Sequence, residues 1–397
     1  MNTLPDKVDQ FVKAQMLHDR KQNEERSKMT AAERAATPRR DYFKPCIADA
    51  DAGFGGITSV MKLTKLFVEA GAAGMHLEDQ KPGVKKCGHL GGKVLVSVRE
   101  HLTRLQAARL QSDIMGCDIN IVARTDSLDA SFLDNNVDPI DHPWIMGCVD
   151  PADQTKTSTF VDAGLASIKK NLSGAKQQSA LAFWNKNAKQ MSLQAAQQYA
   201  KENGFGFYFD WESNRTDEGY YRLKRGDLDY PVARAIAFAD YADLVWMETH
   251  SPDLAQAKEF ADKVHAVKPN CMFGYNNSPS FNWDLYFKKS EDLEAFIPAM
   301  GNLGFTWQFV TLAGFHMDAL MSEVFSRNFA SKGMLAYVEY IQRKEKIEKV
   351  DQLLHQKWSG ANLKDKEVTL ASAGKASSIA NDSKGESTEN QFAQTKL

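Results

Sequence analysis

The segment at residues 85–92, KKCGHLGG, places a thiol among positive charges in a stretch that its glycines make flexible. Two lysines precede Cys87 and a histidine follows it, and nearby positive charge favours the thiolate form of a cysteine. The glycines would let the segment close over a ligand. We therefore predict that Cys87 is a catalytic acid or base, with a thiol nucleophile and a buried structural cysteine as the alternatives.

A second candidate site is the segment IADADAGFGG, which contains two neighbouring carboxylates. Asp49 and Asp51 occupy positions i and i+2 of a predicted strand, so their side chains point to the same side. Converging carboxylates repel each other unless a cation lies between them, and oxygen ligands suit Mg²⁺ or Mn²⁺. We predict a metal site here, with Glu78 and Glu248 as possible partners of its water molecules. The alternative is a helix cap beside a solvated carboxylate.

Polar donors at the ends of other apolar segments suit a substrate that carries several negative charges. Arg124 directly follows the buried run in INIVARTDS, where its guanidinium would bind either a neighbouring carboxylate or a substrate carboxylate. Small donors follow two later segments, namely Asn276, Ser278, Ser280 and Thr311. Ordinary capping of strand ends is the alternative explanation for these side chains.

These side chains require a scaffold that brings several strand ends together. Seven short apolar segments, separated by helix-like segments, predict parallel strands: CIADADAG, GMHLEDQ, INIVARTDS, FYFDWE, DLVWMET, MFGYNNSPS and WQFVTLAG. In a (β/α)₈ barrel the active site is built from the carboxyl ends of the strands, whereas an open doubly wound sheet gathers function at one switch point. The predicted fold is therefore α/β with a (β/α)₈ TIM-type barrel, whose first strand we expect upstream of Met1.

The spacing of these segments divides the predicted barrel into two parts. Residues 1–145 form the first part, from helix 1 to strand 4, and residues 206–345 form the second part, with strands 5–8. The stretch at 146–205 is rich in Lys, Gln, Asn and Ala and is predicted to be a mostly helical insertion. Residues 346–397 form a C-terminal segment, with a flexible tail from about residue 370 because large apolar side chains are few there.

The composition limits the classes of partner and the compartment. The 397 residues are 43% hydrophobic and 25% charged, with a net charge of −2, which is typical of a globular protein. We expect no nucleic-acid partner and no membrane span, since the sequence has no basic field and no apolar run of ~20 residues. Five cysteines without a C-x-x-C motif favour a reducing compartment. The C-terminal TKL is one substitution from the peroxisomal signal SKL, so we expect a peroxisome or glyoxysome, or else the cytoplasm.

The segments that carry the chemistry resemble the isocitrate lyase family, within the isocitrate lyase and phosphoenolpyruvate mutase superfamily, and especially its eukaryotic and fungal members. The resemblance rests on KKCGHLGGKVLV, ADADAGFGG, HLEDQ, ARTD, WMET, YNNSPSFNW and WQFVTLAGFH, in this order, and HQKWSGA and TENQF extend it. It implies a Mg²⁺-dependent cleavage of isocitrate, a tricarboxylate, to succinate and glyoxylate in the glyoxylate cycle. It also implies a homotetramer of barrel subunits that exchange helices.

The resemblance assigns roles to individual residues of this chain. It implies Cys87 as the catalytic acid or base and Asp49 as the metal ligand. The residues that would support the metal are Asp51, His76, Glu78 and Glu248. The residues implied in substrate binding are Gly88, His89, Arg124, Asn276, Asn277, Ser278, Pro279, Ser280 and Thr311.

The sequence departs from the family pattern in two places, and these departures leave alternatives open. Asn277 stands where many members have Cys or Leu, and the Ser-Gly-Trp segment that binds the glyoxylate end of the substrate does not occur. We expect this chain alone to be poorly soluble or inactive, because a missing strand leaves unpaired sheet edges. A catalytically impaired paralogue is therefore one alternative function.

The other alternative is 2-methylisocitrate lyase, which performs the same chemistry on a substrate with one more methyl group and gives succinate and pyruvate. One methyl group is worth only ~1–3 kcal/mol of discrimination, so a few pocket residues decide between the substrates. The segment WQFVTLAG favours isocitrate. The mitochondrion would be the expected compartment for the alternative substrate.

Overall fold

The computed structural model describes residues 1–380 and 387–393. The chain divides into two compact units. The first contains Met1–Asp9 and Pro45–Thr311, and the second contains Gln10–Lys44 and Leu312–Leu397. The C-terminal TKL at 395–397, on which the predicted peroxisomal address depends, lies outside the described residues.

Eleven short strands occur in the described residues, all of them in the first unit. They are β1 (Ile47–Asp49), β2 (Gly74–Glu78), β3 (Val94–Leu95), β4 (Asn120–Thr125), β5 (Phe132–Leu133), β6 (Met146–Cys148), β7 (Thr157–Thr159), β8 (Tyr221–Arg222), β9 (Leu244–Met247), β10 (Met272–Asn276) and β11 (Phe305–Phe309). Six strands form one sheet in the order β1-β2-β4-β9-β10-β11. The sheets β3-β5-β8 and β6-β7 are small and lie outside it.

The six-stranded sheet confirms the predicted α/β fold with a parallel, barrel-type sheet, because every neighbouring pair of its strands is parallel. All residues of β2 and β9 are buried, as in strands that are covered on both faces. The strands β1 and β11 lie at the edges of the described sheet, which is therefore open. A closed eight-stranded barrel would need two further strands, not the single strand that we expected.

The prediction that FYFDWE, at 207–212, is a strand of this sheet is wrong. Strand β9 pairs directly with β4, and residues 207–212 contribute only an isolated antiparallel bridge between Cys148 and Asp210. Phe209 is buried in a separate aromatic core, whereas Tyr208 is exposed. This alternation of buried and exposed side chains is typical of a segment with one covered face, and the fully buried strands β2 and β9 lack it.

The α-helices of the described residues surround the sheet in the first unit and make up most of the second. They are α1 (Thr3–Ser27), α2 (Ala31–Ala36), α3 (Ile57–Ala70), α4 (Val98–Ile114), α5 (Phe160–Asn171), α6 (Gly174–Asn187), α7 (Leu193–Glu202), α8 (Asp229–Phe238), α9 (Leu254–His265), α10 (Trp283–Tyr286), α11 (Ser290–Asn302), α12 (Ala313–Lys332), α13 (Met334–Tyr337), α14 (Arg343–Glu348), α15 (His355–Trp358), α16 (Ala361–Ala371) and α17 (Asn390–Ala393). Short 3₁₀ helices lie at His142–Trp144, Ala188–Gln190, Glu212–Asn214 and Asp351–Leu354, and a π-helical turn lies at Val338–Gln342.

The stretch 146–205, predicted as a mostly helical insertion, contains β6, β7 and helices α5–α7. These helices pack on an apolar core that also includes residues from the segments 95–145 and 205–230, and in which Trp144, Phe160 and Trp184 are almost completely buried. The indole N–H of Trp184 donates to the carbonyl of Val161 at 2.8 Å, so this large ring is satisfied inside the core. The insertion therefore shares a core with neighbouring segments of the first unit, and this core is distinct from the cluster of Val122, Leu244 and Trp246 on the central sheet.

In the second unit, helix α12 has no buried residue. Its exposed apolar side chains include Phe315, Met317, Leu320 and Phe329. No helix in the described part of the chain combines the length and the apolar character that crossing a membrane requires.

Candidate active site

The register of the parallel sheet brings the chemistry-bearing residues of neighbouring strands side by side. Asp49 at the end of β1 is paired with His76 on β2, and Glu78 at the end of β2 is paired with Arg124 on β4. Glu248 directly follows β9, where its backbone N–H donates to the carbonyl of Thr125 at 3.0 Å. The carboxyl ends of four strands thus form one cluster, as the barrel prediction requires.

Asp49, Asp51 and Glu78 form the acidic part of this cluster. The backbone N–H of Asp51 donates to Asp49 Oδ1 at 2.8 Å, and the Nδ1 atom of His76 lies 3.6 Å from the same oxygen. Lys85 donates to Asp51 Oδ1, and its ammonium group lies 3.6 Å from Glu78 Oε1. Lys85, which we expected to act on the thiol, therefore directs its charge at these carboxylates.

Glu78 is the most unusual carboxylate of the site because its side chain is completely buried. Neither of its oxygens has a hydrogen-bond partner among the described residues, although Arg124 Nη1 lies 3.2 Å from Oε2. Burial raises the pKa of Glu78 to about 8, and the charge of Asp126 adds to this effect, while Arg124 opposes it. A carboxyl group in this environment keeps a proton near neutral pH unless a cation approaches it.

Arg124 is buried and lies between several carboxylates. Its Nε atom donates to Asp126 Oδ2 at 3.1 Å, and its guanidinium stacks 4.4 Å from the centre of the Trp246 ring. Burial alone would favour the neutral form of Arg124, but Asp126, Glu248 and Glu78 raise its pKa well above the ordinary value. The sequence allowed Arg124 to bind either a neighbouring carboxylate or a substrate carboxylate. The structure shows the neighbouring carboxylate, and binding of a substrate carboxylate stays a prediction.

The segment with Cys87 lies against this cluster. Cys87 is exposed, and its Sγ atom lies 3.9 Å from Nδ1 of His89, whose Nε2 atom lies 3.1 Å from Glu248 Oε1. Burial and the charge of His250 lower the pKa of His89, although Glu248 opposes them. His89 therefore tends to be neutral near pH 7 and is able to accept a proton from the thiol.

Gly88 is the point of closest approach between this segment and the cluster. A Cβ atom at Gly88 would lie 2.5 Å from Arg124 Nη2 and 2.6 Å from Glu248 Cγ, which no side chain tolerates. The absent side chain lets the backbone next to Cys87 touch the two charged groups. This close contact is a physical reason for glycine in the K-K-C-G-H motif.

The donors after β10 and β11 are brought only partly to the cluster. Asn276 Nδ2 donates to Glu248 Oε1 at 3.4 Å, and the hydroxyl of Thr311 donates to Asn276 Oδ1 at 3.1 Å. The backbone N–H of Ser280 donates to the hydroxyl of Ser278 at 3.1 Å, which closes a local turn. Ser278 and Asn277 are buried, Pro279 is half-buried and Ser280 is exposed. Among the contacts of the described residues, none links Pro279 or Ser280 to Glu248.

The donor set fits a hard cation that is held largely through water. Among the described residues, no group of three or more His, Cys, Asp or Glu side chains could hold a metal ion by itself. However, Mg²⁺ commonly has one or two carboxylate ligands and keeps several waters. Asp49 and Asp51 are half-buried and line a cavity of about 200 Å³, and the buried oxygens of Glu78 have no hydrogen-bond partner in the described chain. Asp49 therefore remains the predicted ligand.

Three buried polar residues of the site were not predicted as site residues, namely Gln80, Lys93 and Asp126. Lys93 Nζ lies 3.2 Å from Asp126 Oδ1, and Arg124 and Lys93 hold the pKa of Asp126 well below its usual range, although burial opposes them. The sequence contains a signal for two of them. Gln80 ends HLEDQ, directly after two carboxylates, and Lys93 stands immediately before the apolar run VLV, where a buried charge without a partner would be costly.

Comparisons with known proteins show the family to which this chain is similar. The family model described as "Isocitrate lyase family" matches residues 1–188 and 152–392. The chain is 45% identical to "Isocitrate lyase" of Oryza sativa subsp. japonica, over 96% of this chain and 72% of that protein. It is 42% identical to "Isocitrate lyase" of Saccharomyces cerevisiae, over 96% of this chain and 74% of that protein. It is 40% identical to "2-methylisocitrate lyase, mitochondrial" of Hypocrea atroviridis, over 98% of this chain and 74% of that protein.

Proposed function

The chain belongs to the isocitrate lyase family, and on this basis we propose that it cleaves isocitrate to succinate and glyoxylate. The observation that carries the proposal is the position of the KKCGH segment at the carboxyl end of the parallel sheet. There Gly88 lies against Arg124 and Glu248, and Cys87 lies beside His89. The two relatives named isocitrate lyase match 96% of this chain, which supports the same reaction.

The reaction needs one proton removed and one proton delivered. The bond between the hydroxyl-bearing carbon and its neighbour breaks as the hydroxyl gives its proton to a carboxylate of the cluster and becomes the carbonyl of glyoxylate. The succinate half then leaves as a carbanion, and the Cys87 thiol donates a proton to that carbon. In the condensation direction the thiolate takes the same proton back. His89 Nδ1, 3.9 Å from Sγ, is positioned to return a proton to the thiolate after each turnover.

The cations and donors of the site stabilise the negative charge that develops on the leaving succinate half. That half becomes an enediolate-like anion, and preorganised donors lower the energy of such a charge more than water does. Arg124 supplies a fixed positive charge, while the linked pair of Asn276 and Thr311 supplies an amide and a hydroxyl beside Glu248. We assign the substrate carboxylates to these residues together with Ser278, Ser280 and the Gly88 backbone.

Mg²⁺ is the proposed cofactor, with Mn²⁺ as an alternative, and when bound it would polarise the hydroxyl and carboxylate oxygens of the substrate. Asp49 is the proposed ligand. The groups that would support its water molecules are Asp51, His76, Glu78 and Glu248. The buried oxygens of Glu78, which have no hydrogen-bond partner in the described chain, support this assignment, since a nearby cation would favour their ionised form.

We propose in addition that the chain assembles as a homotetramer and functions in the glyoxylate cycle. The support for assembly is helix α12, whose apolar side chains Phe315, Met317 and Leu320 are each more than 60% exposed. Exposed apolar side chains on one helix are typical of a surface that is buried in an oligomer. The compartment is proposed from TKL as the peroxisome or glyoxysome, with the cytoplasm as the alternative.

A second candidate function is the cleavage of 2-methylisocitrate to succinate and pyruvate in the mitochondrion. The observation that favours it is the 40% identity to the Hypocrea enzyme over 98% of this chain. This identity is only slightly lower than that to the isocitrate lyases, and the chemistry at Cys87 would be the same. A third candidate, a catalytically impaired paralogue, keeps the cluster but turns over neither substrate.

The proposal is tested by incubating the purified chain and Mg²⁺ with isocitrate and with 2-methylisocitrate, and by measuring succinate, glyoxylate and pyruvate. Against the expectation from the unpaired sheet edges that the chain alone is inactive, the family assignment predicts glyoxylate from isocitrate at a higher kcat/KM than pyruvate from the methylated substrate. Cys87→Ser is expected to keep the fold and lose most turnover, because a serine hydroxyl is a far weaker acid near pH 7. Equal or faster formation of pyruvate would favour the second candidate, and no product from either substrate would favour the third.

A further inference from the structure

The segment that carries Cys87 leaves the sheet through a closed neck. The backbone N–H of Lys81 donates to the carbonyl of Val94 at 2.8 Å, and the N–H of Val96 donates to the carbonyl of Asp79 at 2.9 Å. Gln80 and Leu95 form an isolated antiparallel bridge between these two contacts. The segment 82–92 is therefore a loop with a fixed base and the thiol of Cys87 near its tip.

A buried side chain at one side of the neck reaches into the loop. Gln80 is completely buried, and its side-chain Nε2 donates to the carbonyl of Lys86 at 2.8 Å. Its Oε1 accepts from the backbone N–H of Lys86 at 3.0 Å. The side-chain amide of Gln80 therefore donates one hydrogen bond to the Lys86 backbone and accepts one from it, as the backbone of a neighbouring strand would. These two bonds fix the residue immediately before Cys87.

A buried cation at the other side of the neck holds the residue immediately after Cys87. Lys93 is only 1% exposed, and its Nζ donates to the carbonyl of Gly88 at 2.8 Å and to Asp126 Oδ1 at 3.2 Å. Asp126 is itself fixed, because its backbone N–H donates to Asp79 Oδ1 at 2.9 Å. Asp79 in turn accepts from the buried Arg234 at 2.8 Å. The charge of Lys93 is thereby neutralised within a rigid network.

We propose that Gln80 and Lys93 are positioning residues that fix the backbone on both sides of Cys87 and so place its thiol for proton transfer. The inference rests on the proposed function, since it takes Cys87 as the proton donor. A buried lysine costs desolvation energy that a methionine of similar length would avoid, so its use here needs a specific polar task. The task that the contacts assign to it is to bind the Gly88 carbonyl, which holds this backbone against Arg124 and Glu248.

The test compares Gln80→Met, Gln80→Glu and Lys93→Met with a control, Lys81→Met. Gln80→Glu keeps the acceptor for the Lys86 N–H and loses the donor, so it removes half of the contact with little change of shape. Lys81 lies at the same neck, but its Nζ pairs with Asp134, at 2.5 Å, and not with the backbone around Cys87. The measurements are kcat and KM for isocitrate, and the rate at which iodoacetamide alkylates Cys87, followed by mass spectrometry with and without succinate.

We expect kcat to fall roughly 10²-fold in Gln80→Met and Lys93→Met, because small displacements of a reacting group have effects of that size. The KM for isocitrate should change much less than kcat. The kcat of Gln80→Glu should lie between those of Gln80→Met and wild type, and the kcat of Lys81→Met should equal that of wild type. The alkylation rate of Cys87 and its protection by succinate should change in the same order. Folded variants with the kcat and alkylation rate of Lys81→Met would overturn the proposal, as would a lower kcat with unchanged alkylation.

The rate of Cys87 alkylation tests the positioning of the thiol independently of the proposed reaction. If Cys87→Ser retained normal turnover, the proposed role of the thiol would fail. A changed alkylation rate in the Gln80 and Lys93 variants would still support the positioning of Cys87. Should Lys93→Met not fold, the comparison of Gln80→Met with wild type tests the proposal, because that variant leaves the buried charges of the network in place and adds none.

Discussion

The Nε2 atom of His89 lies 3.1 Å from Oε1 of Glu248. The same histidine presents Nδ1 to the Cys87 thiol at 3.9 Å, so one ring lies between a buried carboxylate and an exposed sulfur. A carboxylate beside one ring nitrogen stabilises the imidazolium that forms when the other nitrogen takes a proton. This arrangement makes the return of a proton to the thiolate depend on both residues.

Replacing either member of this pair should slow turnover without preventing binding. We expect His89→Asn to lower kcat by about 10²-fold, the usual effect of removing one proton-transfer group, and Glu248→Gln to lower it less, because the amide keeps the shape but not the charge. Steady-state kinetics from pH 6 to pH 9 would measure this. A His89→Asn enzyme with the kcat of wild type would show that the thiolate regains its proton from solvent alone.

Gly88→Ala and Gly91→Ala form a matched pair that tests the contact between the loop and the cluster. The added Cβ at Gly88 would meet Arg124 Nη2 at 2.5 Å, whereas a Cβ at Gly91 meets nothing within 4 Å in the described structure. We expect Gly88→Ala to lose at least about 10²-fold in kcat/KM because the loop must move outward, and Gly91→Ala to remain near wild type. Thermal unfolding of both variants controls for the fold. Equal activities would mean that the loop adapts to the extra atom.

The metal assignment predicts that Asp49→Asn loses activity at ordinary Mg²⁺ concentrations, because the change removes a charged oxygen ligand. Activity measured over a Mg²⁺ titration should recover only at much higher concentrations, if at all. Asp41→Asn is a suitable control, since Asp41 is an exposed carboxylate of the second unit. If wild-type enzyme treated with a chelator keeps its full rate, Mg²⁺ has no part in the reaction.

The sequence predicted the composition of the cluster better than its contacts. Asp49, Glu78, Arg124 and Glu248 each lie in the last two residues of an apolar strand or directly after it, and the parallel register brings such positions together. The side chains that pair within the cluster depend on contacts between distant segments. Lys85 is adjacent to the thiol in sequence, but the fold directs it to Asp51. The local sequence contains no sign of that pairing.

Contacts between distant segments also explain why the strand prediction for FYFDWE is wrong and why Gln80 and Lys93 were not predicted as site residues. FYFDWE has strong strand propensity, but its alternating aromatic residues are buried by the helices of the 146–205 stretch and not by the parallel sheet. Gln80 and Lys93 stand beside apolar or acidic residues in the sequence, which signals that they have partners but not which ones. Their role is visible only when the backbone of residues 86 and 88 is placed beside them, which is a property of the folded loop.

Glu78 provides a prediction about the pH dependence of stability in the absence of divalent cations. Burial raises its pKa from an ordinary value of 4.5 to about 8 in the folded state. The folded chain therefore keeps this proton at pH values where the unfolded chain has released it. The stabilising contribution of Glu78 is complete below about pH 4.5, falls as the pH rises, and is lost above about pH 8, with a slope of at most about 1.4 kcal/mol per pH unit.

The variant Glu78→Gln cannot titrate at this position, so the difference in unfolding free energy between variant and wild type should move in favour of the variant between pH 5 and pH 8. Chemical denaturation of both proteins in the presence of a chelator measures this difference, and titrations shared by the two proteins cancel. Added Mg²⁺ should make this free-energy difference depend less on pH, because a cation near Glu78 favours its ionised form. A difference that stays constant over this pH range would show that Glu78 is already ionised in the folded protein, with Arg124 and Lys85 outweighing the cost of its burial.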